Sequence, residues 1–283
     1  MKSFVLTISC EDKLGIIALV TNFLSREGFN IVESAQFHDK NTNNFFMRTE
    51  FQKKECDLSK LKEKFLINVA SKIEMEWEIS ATGQKCPAII LVSKEDHCLN
   101  NLIYKSRNSN TPIDIKAVVS NHKNLQKPVE DMGLEFHYFP IIDNNKKNQE
   151  NKILEVFEST KSELVILARY MQILSDNFCS EIKGKGINIH HSFLPGFKGS
   201  KPYHQAYERG VKIVGASAHY ITKDLDEGPL ITQETIRVNH SMTPEILADI
   251  GKDIESMVLA KSVKLHCEKR IFINKNKTVI FDI

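Results

Sequence analysis

An amide, an imidazole and a carboxylate stand in two polar segments of this chain, and such groups together can catalyse acyl transfer without a metal. Asn188 and His190 are followed by a Leu-Pro-Gly loop, and Asp226 is followed by Glu-Gly-Pro. Residues two apart share one face of an extended strand, so Asn188 and His190 should point together while His191 points away. Each residue alone is more often a cap, a structural histidine or a turn acid, but the set predicts a catalytic site.

The chemistry of acyl transfer explains these residue types. Its tetrahedral intermediate carries an oxyanion, and losing one amide or imidazolium donor to that oxyanion typically costs about 3–4 kcal/mol. A carboxylate beside the imidazole can order a water molecule and exchange protons, which is typically worth about 10²–10⁴ in rate. Ser192 lies outside a Gly-x-Ser-x-Gly elbow, so no nucleophilic serine is required.

Zinc is the alternative use of histidines near an aspartate. Adjacent side chains such as those of His190 and His191 diverge in a strand, and the sequence has no His-x-x-x-His pair on a helix. His97, His122 and His204 could line a pocket, but solvated histidines are the more ordinary interpretation. We therefore predict a site without metal.

The catalytic segments lie in a region that alternates strands with helices. Apolar runs predict buried strands at residues 88–92, 115–119, 136–141, 164–167 and 186–189, with an antiparallel pair at 211–221 and 230–238 and a long helix at 244–266. This pattern predicts a doubly wound, mostly parallel sheet. Ligands of such sheets bind beyond the carboxyl ends of the strands, where Asn188, His219 and the segment after Leu167 should meet.

The first eighty residues have a different order. Strand and helix patterns alternate as strand, helix, strand, strand, helix, strand, which predicts a ferredoxin-like βαββαβ sheet with both helices on one face. A short polar break at residues 80–85 separates the two patterns. We predict one domain at 1–82 and a catalytic domain at 83–283.

Composition restricts the partners and the location. The 38 basic and 36 acidic residues give a net charge of +2, which offers no reason to expect a nucleic acid or a membrane surface as partner. No apolar run is long enough to span a membrane, and the first one is too short for a signal peptide. The six cysteines are scattered without paired spacing, which predicts reduced thiols and a cytoplasmic protein.

The residues after the first strand of the α/β region bear on the substrate. A phosphate cradle there needs glycines and free backbone N–H groups, but Ser93 to Cys98 contain no glycine and include two acids. A phosphorylated co-substrate is therefore not expected at this position.

At these residues the chain resembles the formyltetrahydrofolate-dependent formyltransferase superfamily. Asn188, His190 and Asp226 fall on its catalytic Asn, His and Asp, and His219 matches the histidine on the strand leading to the Asp. Within the superfamily, the segments 92–99, 119–122 and 167–175 resemble the deformylase family. The N-terminal region is similar to an ACT regulatory domain, with Asp12 to Ile16 at its first turn and Asn30 entering the second strand.

The resemblance implies hydrolysis of 10-formyltetrahydrofolate to tetrahydrofolate and formate in one-carbon metabolism and purine biosynthesis, with no prosthetic group. It places the folate ring against Met171, Gln172, Leu174, Thr222 and Leu225. It also implies a homodimer or homotetramer, in which the ACT-like domain either binds a small amino acid or is a purely structural dimerisation module. Two alternatives stay open: formyl transfer to a small amine, and a non-catalytic regulator that binds folate or an amino acid.

Overall fold

The structure is a computed structural model that describes residues 1–108, 111–142, 145–196 and 202–282. The chain divides into two units. The first comprises Met1–Gln84, Glu268–Asn274 and the residues from Thr278 onward, and the second comprises Lys85–Cys267 with Lys275–Lys277. None of the helices within the described ranges is both long and apolar enough to cross a membrane.

The first unit is built on a four-stranded antiparallel sheet. Its elements are β1 (Lys2–Glu11), α1 (Ile16–Arg26), β2 (Asn30–Asp39), β3 (Asn44–Lys53), α2 (Leu58–Asn68) and β4 (Glu76–Ala81), in the sheet order β2-β3-β1-β4. Apolar side chains of both helices, among them Val20 and Phe65, share one buried core with Leu6 and Ile8 of β1. Both helices therefore cover the same face of the sheet, as the alternation of the sequence predicts.

Local signals explain where the two helices begin. Gly15 precedes α1 with a φ of 92°, a left-handed conformation that glycine adopts without steric cost. Asp57 caps α2, where its carboxylate accepts the backbone N–H groups of Ser59 and Lys60 at 3.0 and 3.2 Å.

The second unit contains a seven-stranded sheet. Its elements are β5 (Cys86–Val92), α3 (His97–Asn108), β6 (Ile113–Ser120), α4 (Gln126–Asp131), β7 (Glu135–Tyr138), α5 (Lys146–Ser159), β8 (Leu164–Leu167), α6 (Asp176–Glu181), β9 (Gly186–His190), α7 (Pro202–Glu208), β10 (Ile213–Tyr220), β11 (Leu230–Arg237) and α8 (Pro244–Cys267). The sheet order is β11-β10-β9-β8-β5-β6-β7. In this sheet β10 pairs antiparallel with β9 and β11, and the other neighbouring strands pair parallel, so the predicted doubly wound, mostly parallel sheet is confirmed.

The end of the chain differs from the predicted domain division. The sequence places all of 83–283 in the catalytic domain, but β12 (Ile271–Asn274) and most of β13 (Lys277–Ile280) belong to the first unit. The ring of Phe272 packs 5.6 Å from that of Phe46, and Arg270 pairs with Glu33 at 3.2 Å. These contacts cover the face of the N-terminal sheet that the two helices leave open. The sequence pattern of β1 to β4 and the two helices does not predict this cover.

Candidate active site

A cavity of about 280 Å³ lies beyond the carboxyl ends of β8 and β9. It brings together all nine residues that the sequence singles out: Asn188, His190, His219 and Asp226, with Met171, Gln172, Leu174, Thr222 and Leu225. Two loops supply the second group, one after β8 and one between β10 and β11. Met171 and Leu225 are exposed there by 53% and 58%. An apolar surface of this kind suits a flat ring system.

Cross-strand pairing explains how Asn188 and His219 meet. They are direct partners in the antiparallel register of β9 and β10, and the amide Nδ2 of Asn188 donates to the Nε2 atom of His219 at 3.2 Å. His219 Nδ1 lies 2.9 Å from the carbonyl oxygen of Tyr220, which can only accept, so the ring proton belongs on Nδ1. The pair thereby fixes which way the Asn188 amide points.

Asp226 lies between two imidazoles. Its Oδ2 atom is 3.2 Å from His190 Nδ1, and its Oδ1 atom is 3.6 Å from His219 Nε2. Burial by itself raises the pKa of Asp226, but the hydrogen bond and charge of His190, with the adjacent His219 ring, outweigh it and hold this pKa well below its usual range. The group is therefore a carboxylate across the neutral pH range.

The loop that carries Asp226 has an unusual backbone conformation and passes close to β10. Asp226 itself has a φ of 57°, and a Cβ atom at Gly228 would lie only 1.7 Å from the carbonyl oxygen of Tyr220. Only glycine lets the loop pass this carbonyl, the same group that accepts the His219 ring proton. The Glu-Gly-Pro motif thus shapes the loop that delivers the carboxylate to the strand residues.

The Leu-Pro-Gly loop is fastened to β10 by one buried hydroxyl. Ser217 Oγ accepts the backbone N–H of Leu194 at 3.0 Å and donates to the carbonyl of Ser192 at 3.0 Å. Gln233 donates to the same hydroxyl at 2.9 Å. The loop after His190 is therefore held at the edge of the site by hydrogen bonds on both of its sides.

Ser93 holds the loop after β8. Its hydroxyl donates to Asn121 Oδ1 at 2.8 Å and accepts the backbone N–H of Met171 at 3.0 Å, and the side chain is 3% exposed. Further along the loop, the carboxylate of Glu150 accepts the backbone N–H of Ser175 at 2.8 Å. The loop that lines the cavity is thus fixed at two points, by Ser93 after β5 and by Glu150 on α5.

We expect Ser93→Ala to raise KM for the folate substrate several-fold while kcat changes little. The change removes one anchor of the Met171 loop, and a lost buried hydrogen bond costs about 1–3 kcal/mol. Steady-state kinetics measures both constants. Ser106→Ala, which removes a hydroxyl bonded only to the carbonyl of Ile103 on α3, is the matched control. A KM for Ser93→Ala equal to that of the control would contradict this role.

His191 differs from its predicted orientation. Its ring lies 5.1 Å from that of His190 and lines the same cavity, because β9 ends at His190 and the alternation of the strand ends with it. Burial, with the charges of Arg169 and His190, lowers the pKa of His191 from 6.5 to about 4. His191 is therefore a neutral imidazole in the folded protein at neutral pH.

This lowered pKa predicts that stability rises with pH between about pH 4 and pH 6.5. In that window the unfolded chain binds a proton at His191 and the folded chain does not, so the free energy of unfolding gains about 3 kcal/mol across it. His191→Gln should flatten the profile by this amount. Urea unfolding of wild type and variant across the window measures the difference, and identical slopes would refute it.

The sequence misses a buried ionic cluster beside the site, which we call the Arg169 cluster: Arg169, Glu255, His97 and Tyr203. Glu255 Oε2 lies 2.8 Å from His97 Nε2 and 3.4 Å from Arg169 Nε, and the Tyr203 hydroxyl donates to Glu255 Oε1 at 2.7 Å. His97 is thus a half-buried partner of Glu255 and not the solvated residue that the sequence suggests. Its four members come from distant segments, and no short motif joins them.

One group among the described residues brings possible metal ligands within 4.8 Å of one another, namely His97, Cys98 and Glu255. This donor set does not fit a cation. Both carboxylate oxygens of Glu255 already accept hydrogen bonds, and the Arg169 guanidinium lies next to them. Burial, and then the charge of Glu255, raise the pKa of Cys98, which opposes the thiolate that a metal needs.

Comparison with known proteins identifies the family. A family model described as formyl transferase matches residues 87–263. The formyltetrahydrofolate deformylase of Corynebacterium sp. (strain P-1) is 45% identical over 278 residues, which cover 98% of this chain and 97% of that protein. The chain belongs to the formyltetrahydrofolate deformylase family.

Solved structures agree with this membership. The formyltetrahydrofolate deformylase from Burkholderia mallei superposes with a TM-score of 0.96 at 42% identity and covers 100% of both chains. A phosphoribosylglycinamide formyltransferase from Anaplasma phagocytophilum has a TM-score of 0.63 at 29% identity and covers 70% of this chain and 96% of that one. The deformylase family therefore shares its mostly parallel sheet with enzymes whose names give a different acceptor of the formyl group.

Proposed function

We propose that this chain hydrolyses 10-formyltetrahydrofolate to tetrahydrofolate and formate, with Asn188, His190, His219 and Asp226 as the catalytic residues. The observation that carries the proposal is the contact of Asp226 with both imidazoles at the base of the cavity. Membership of the deformylase family supports the substrate and the hydrolytic outcome.

In this proposal Asn188 and His190 bind the formyl oxygen as it becomes an oxyanion. Asn188 is oriented by His219, so an N–H of its amide is already aimed before the substrate arrives. Preorganised donors of this kind stabilise a developing charge without reorganising during the reaction. His219 acts as a positioning residue through Asn188 and Asp226.

Asp226 orients the attacking water and accepts its proton. Its lowered pKa makes it a permanently ionised but weak base, so the proton moves as the bond from water oxygen to the formyl carbon forms. The bond between the carbon and N10 of the folate then breaks, and the proton passes to N10 through Asp226 and His190. Formate leaves with the second proton of the water released to solvent.

The substrate ring is proposed to lie against Met171, Gln172, Leu174, Thr222 and Leu225. All five line the cavity that contains the four catalytic residues. No prosthetic group takes part in the proposed steps, since every proton transfer uses a side chain of the cavity. All six cysteines lie in the described part of the chain as thiols, which supports a cytoplasmic location for the protein.

A single assay tests the proposed function. The purified chain is incubated with 10-formyltetrahydrofolate in water and, separately, with a small primary amine, and formate and formylated amine are both measured. We expect formate in water alone. A formylated amine without formate would instead indicate a transferase, and the absence of both products would indicate a binding protein.

We also propose that the first unit is a regulatory and oligomerisation module with a small amino acid as its effector. The turn at Gly15 and the start of β2 at Asn30 are the proposed binding region, and β2 is the last strand on its side of the sheet. Thermal-shift screening with free amino acids tests the effector, and a flat response favours a purely structural role. Light scattering tests the homodimer or homotetramer, and a monomer would count against it.

A further inference from the structure

The backbone at Arg169 marks the Arg169 cluster as more than packing. Arg169 follows β8 with a φ of 65°, a left-handed conformation that is unfavourable for a side chain of this kind. Such conformations persist where the surroundings hold them, and they concentrate at functional sites. Its Nε and Nη1 atoms are buried without a hydrogen-bond partner, so the side chain is held by its ion pair and by packing.

Neighbouring side chains hold the ion-pair partner of Arg169 in a fixed position. Glu255 on α8 has a side chain that is only 1% exposed, and it is fixed by His97 and Tyr203. A Cβ atom at Gly251 would lie 2.0 Å from the Tyr203 hydroxyl oxygen. A larger residue at position 251 of α8 would therefore clash with the Tyr203 ring. A glycine inside a helix is unfavourable, which indicates that the position of Tyr203 matters.

The cluster occupies the place where a second substrate of this sheet would enter. The strand order reverses at β5, and ligands of open α/β sheets bind at such a switch point. His97 begins α3 just after β5, and Arg169 follows β8 on the neighbouring strand. Arg169 also lines the same cavity as His190 and Asp226.

The cavity has little room for two substrates. Its volume of about 280 Å³ is at the lower end of ligand pockets, which commonly measure about 300–1,000 Å³. The relative from Anaplasma phagocytophilum is named for phosphoribosylglycinamide, a phosphorylated amine acceptor. In this chain, Arg169 forms part of the cavity wall and pairs with Glu255 at 3.4 Å.

We propose that Arg169, held by Glu255, determines acceptor specificity by closing the acceptor side of the cavity to amines, so that water alone reaches the formyl carbon. The inference rests on the proposed hydrolysis. The guanidinium takes up volume beside the catalytic residues, which leaves too little room for an amine and its substituents to reach the formyl carbon. Water is small enough to reach the same carbon.

The reaction that the cluster would prevent is formyl transfer to an amine. The amine nitrogen would attack the formyl carbon, a carbon–nitrogen bond to the amine would form, and the bond to N10 would break. The proton lost by the amine would end on N10 of tetrahydrofolate. This reaction needs no reagent besides the amine, and the same oxyanion donors would serve it.

Arg169→Gly tests the proposal, because glycine removes the side chain and also suits the left-handed backbone. Wild type and variant are incubated with 10-formyltetrahydrofolate and increasing glycinamide, and formate and N-formylglycinamide are quantified by mass spectrometry. We expect formate alone from wild type. For the variant, N-formylglycinamide should reach at least about tenfold the detection limit that wild type does not exceed, the size of effect that pocket contacts give in discrimination.

Lys161→Gly is the matched control, since Lys161 is an exposed residue with a φ of 52° that does not line the cavity. The Lys161→Gly substitution places glycine at a similar left-handed conformation. This variant should form no N-formylglycinamide. If Arg169→Gly does not fold because Glu255 loses its counter-charge, the double variant with Glu255→Gln removes both charges and keeps a hydrogen-bonding side chain.

A folded variant that releases formate but no N-formylglycinamide at any amine concentration would overturn the inference and leave the proposed hydrolysis intact. Wild type that releases no formate would overturn the proposed hydrolysis instead. The two failures are therefore distinguishable in one experiment.

Discussion

Asp226→Asn is expected to lower kcat for formate release by about 10²–10⁴, the usual contribution of a general acid–base group. The substitution keeps the shape of the side chain but removes its negative charge and its capacity to accept the proton of water. The affinity for tetrahydrofolate should stay close to that of wild type, because the proposed ring-binding residues lie on other parts of the two loops. Formate release gives kcat, and titration calorimetry gives the dissociation constant.

Asp224→Asn is the matched control for this variant. Asp224 lies two residues earlier in the same loop and is exposed to solvent, so the same chemical change there should preserve most of the turnover. Near-normal formate release by Asp226→Asn would refute the catalytic assignment. An equal loss of kcat in both variants would show that an amide at either position disturbs the loop. The effect would then be assigned to loop structure and not to catalysis.

His190→Ala is expected to lower kcat by about 10²–10³, the usual cost of removing one oxyanion donor. It should also change how Asp226 titrates. The hydrogen bond and charge of His190 help to hold the pKa of Asp226 below its usual range, so their removal raises that pKa toward the ordinary value of an aspartate. The residual activity should then fall at a higher pH on the acid side than that of wild type.

A pH profile of kcat for wild type and His190→Ala measures this shift. His122→Ala is the control, because His122 is a half-buried histidine outside the cavity lining. His190→Ala could lower kcat while the pH at which activity falls on the acid side stays as in wild type. That result would argue that His190 acts without Asp226.

The arrangement of the proposed catalytic residues is predictable because they follow local rules. Asn188 and His190 share a face through strand alternation, and His219 is the cross-strand partner of Asn188. The orientation of His191 is not predictable in this way, because it depends on where β9 ends. A strand boundary is set by tertiary hydrogen bonds, which the local pattern does not contain.

The Arg169 cluster escapes sequence reasoning for a different reason. Its four members come from β8, α3, α7 and α8 regions of the chain, and each has an ordinary surface interpretation when taken alone. Only the folded sheet shows that Glu255 is buried and therefore needs partners for its charge. Helix α7 and the short strands β12 and β13 are missed because each is too brief to carry a clear period.

The return of the chain to its first unit after α8 makes Lys85–Cys267 an insertion within a discontinuous first unit. The chain crosses between the units four times, after Gln84, Cys267, Asn274 and Lys277, and the last two crossings enclose only the turn between β12 and β13. A single cut after Gln84 would strip Phe272 and Arg270 of their partners and leave an apolar strand exposed. Exchange of Lys85–Cys267 between proteins thus requires two breakpoints, and the second one follows Cys267.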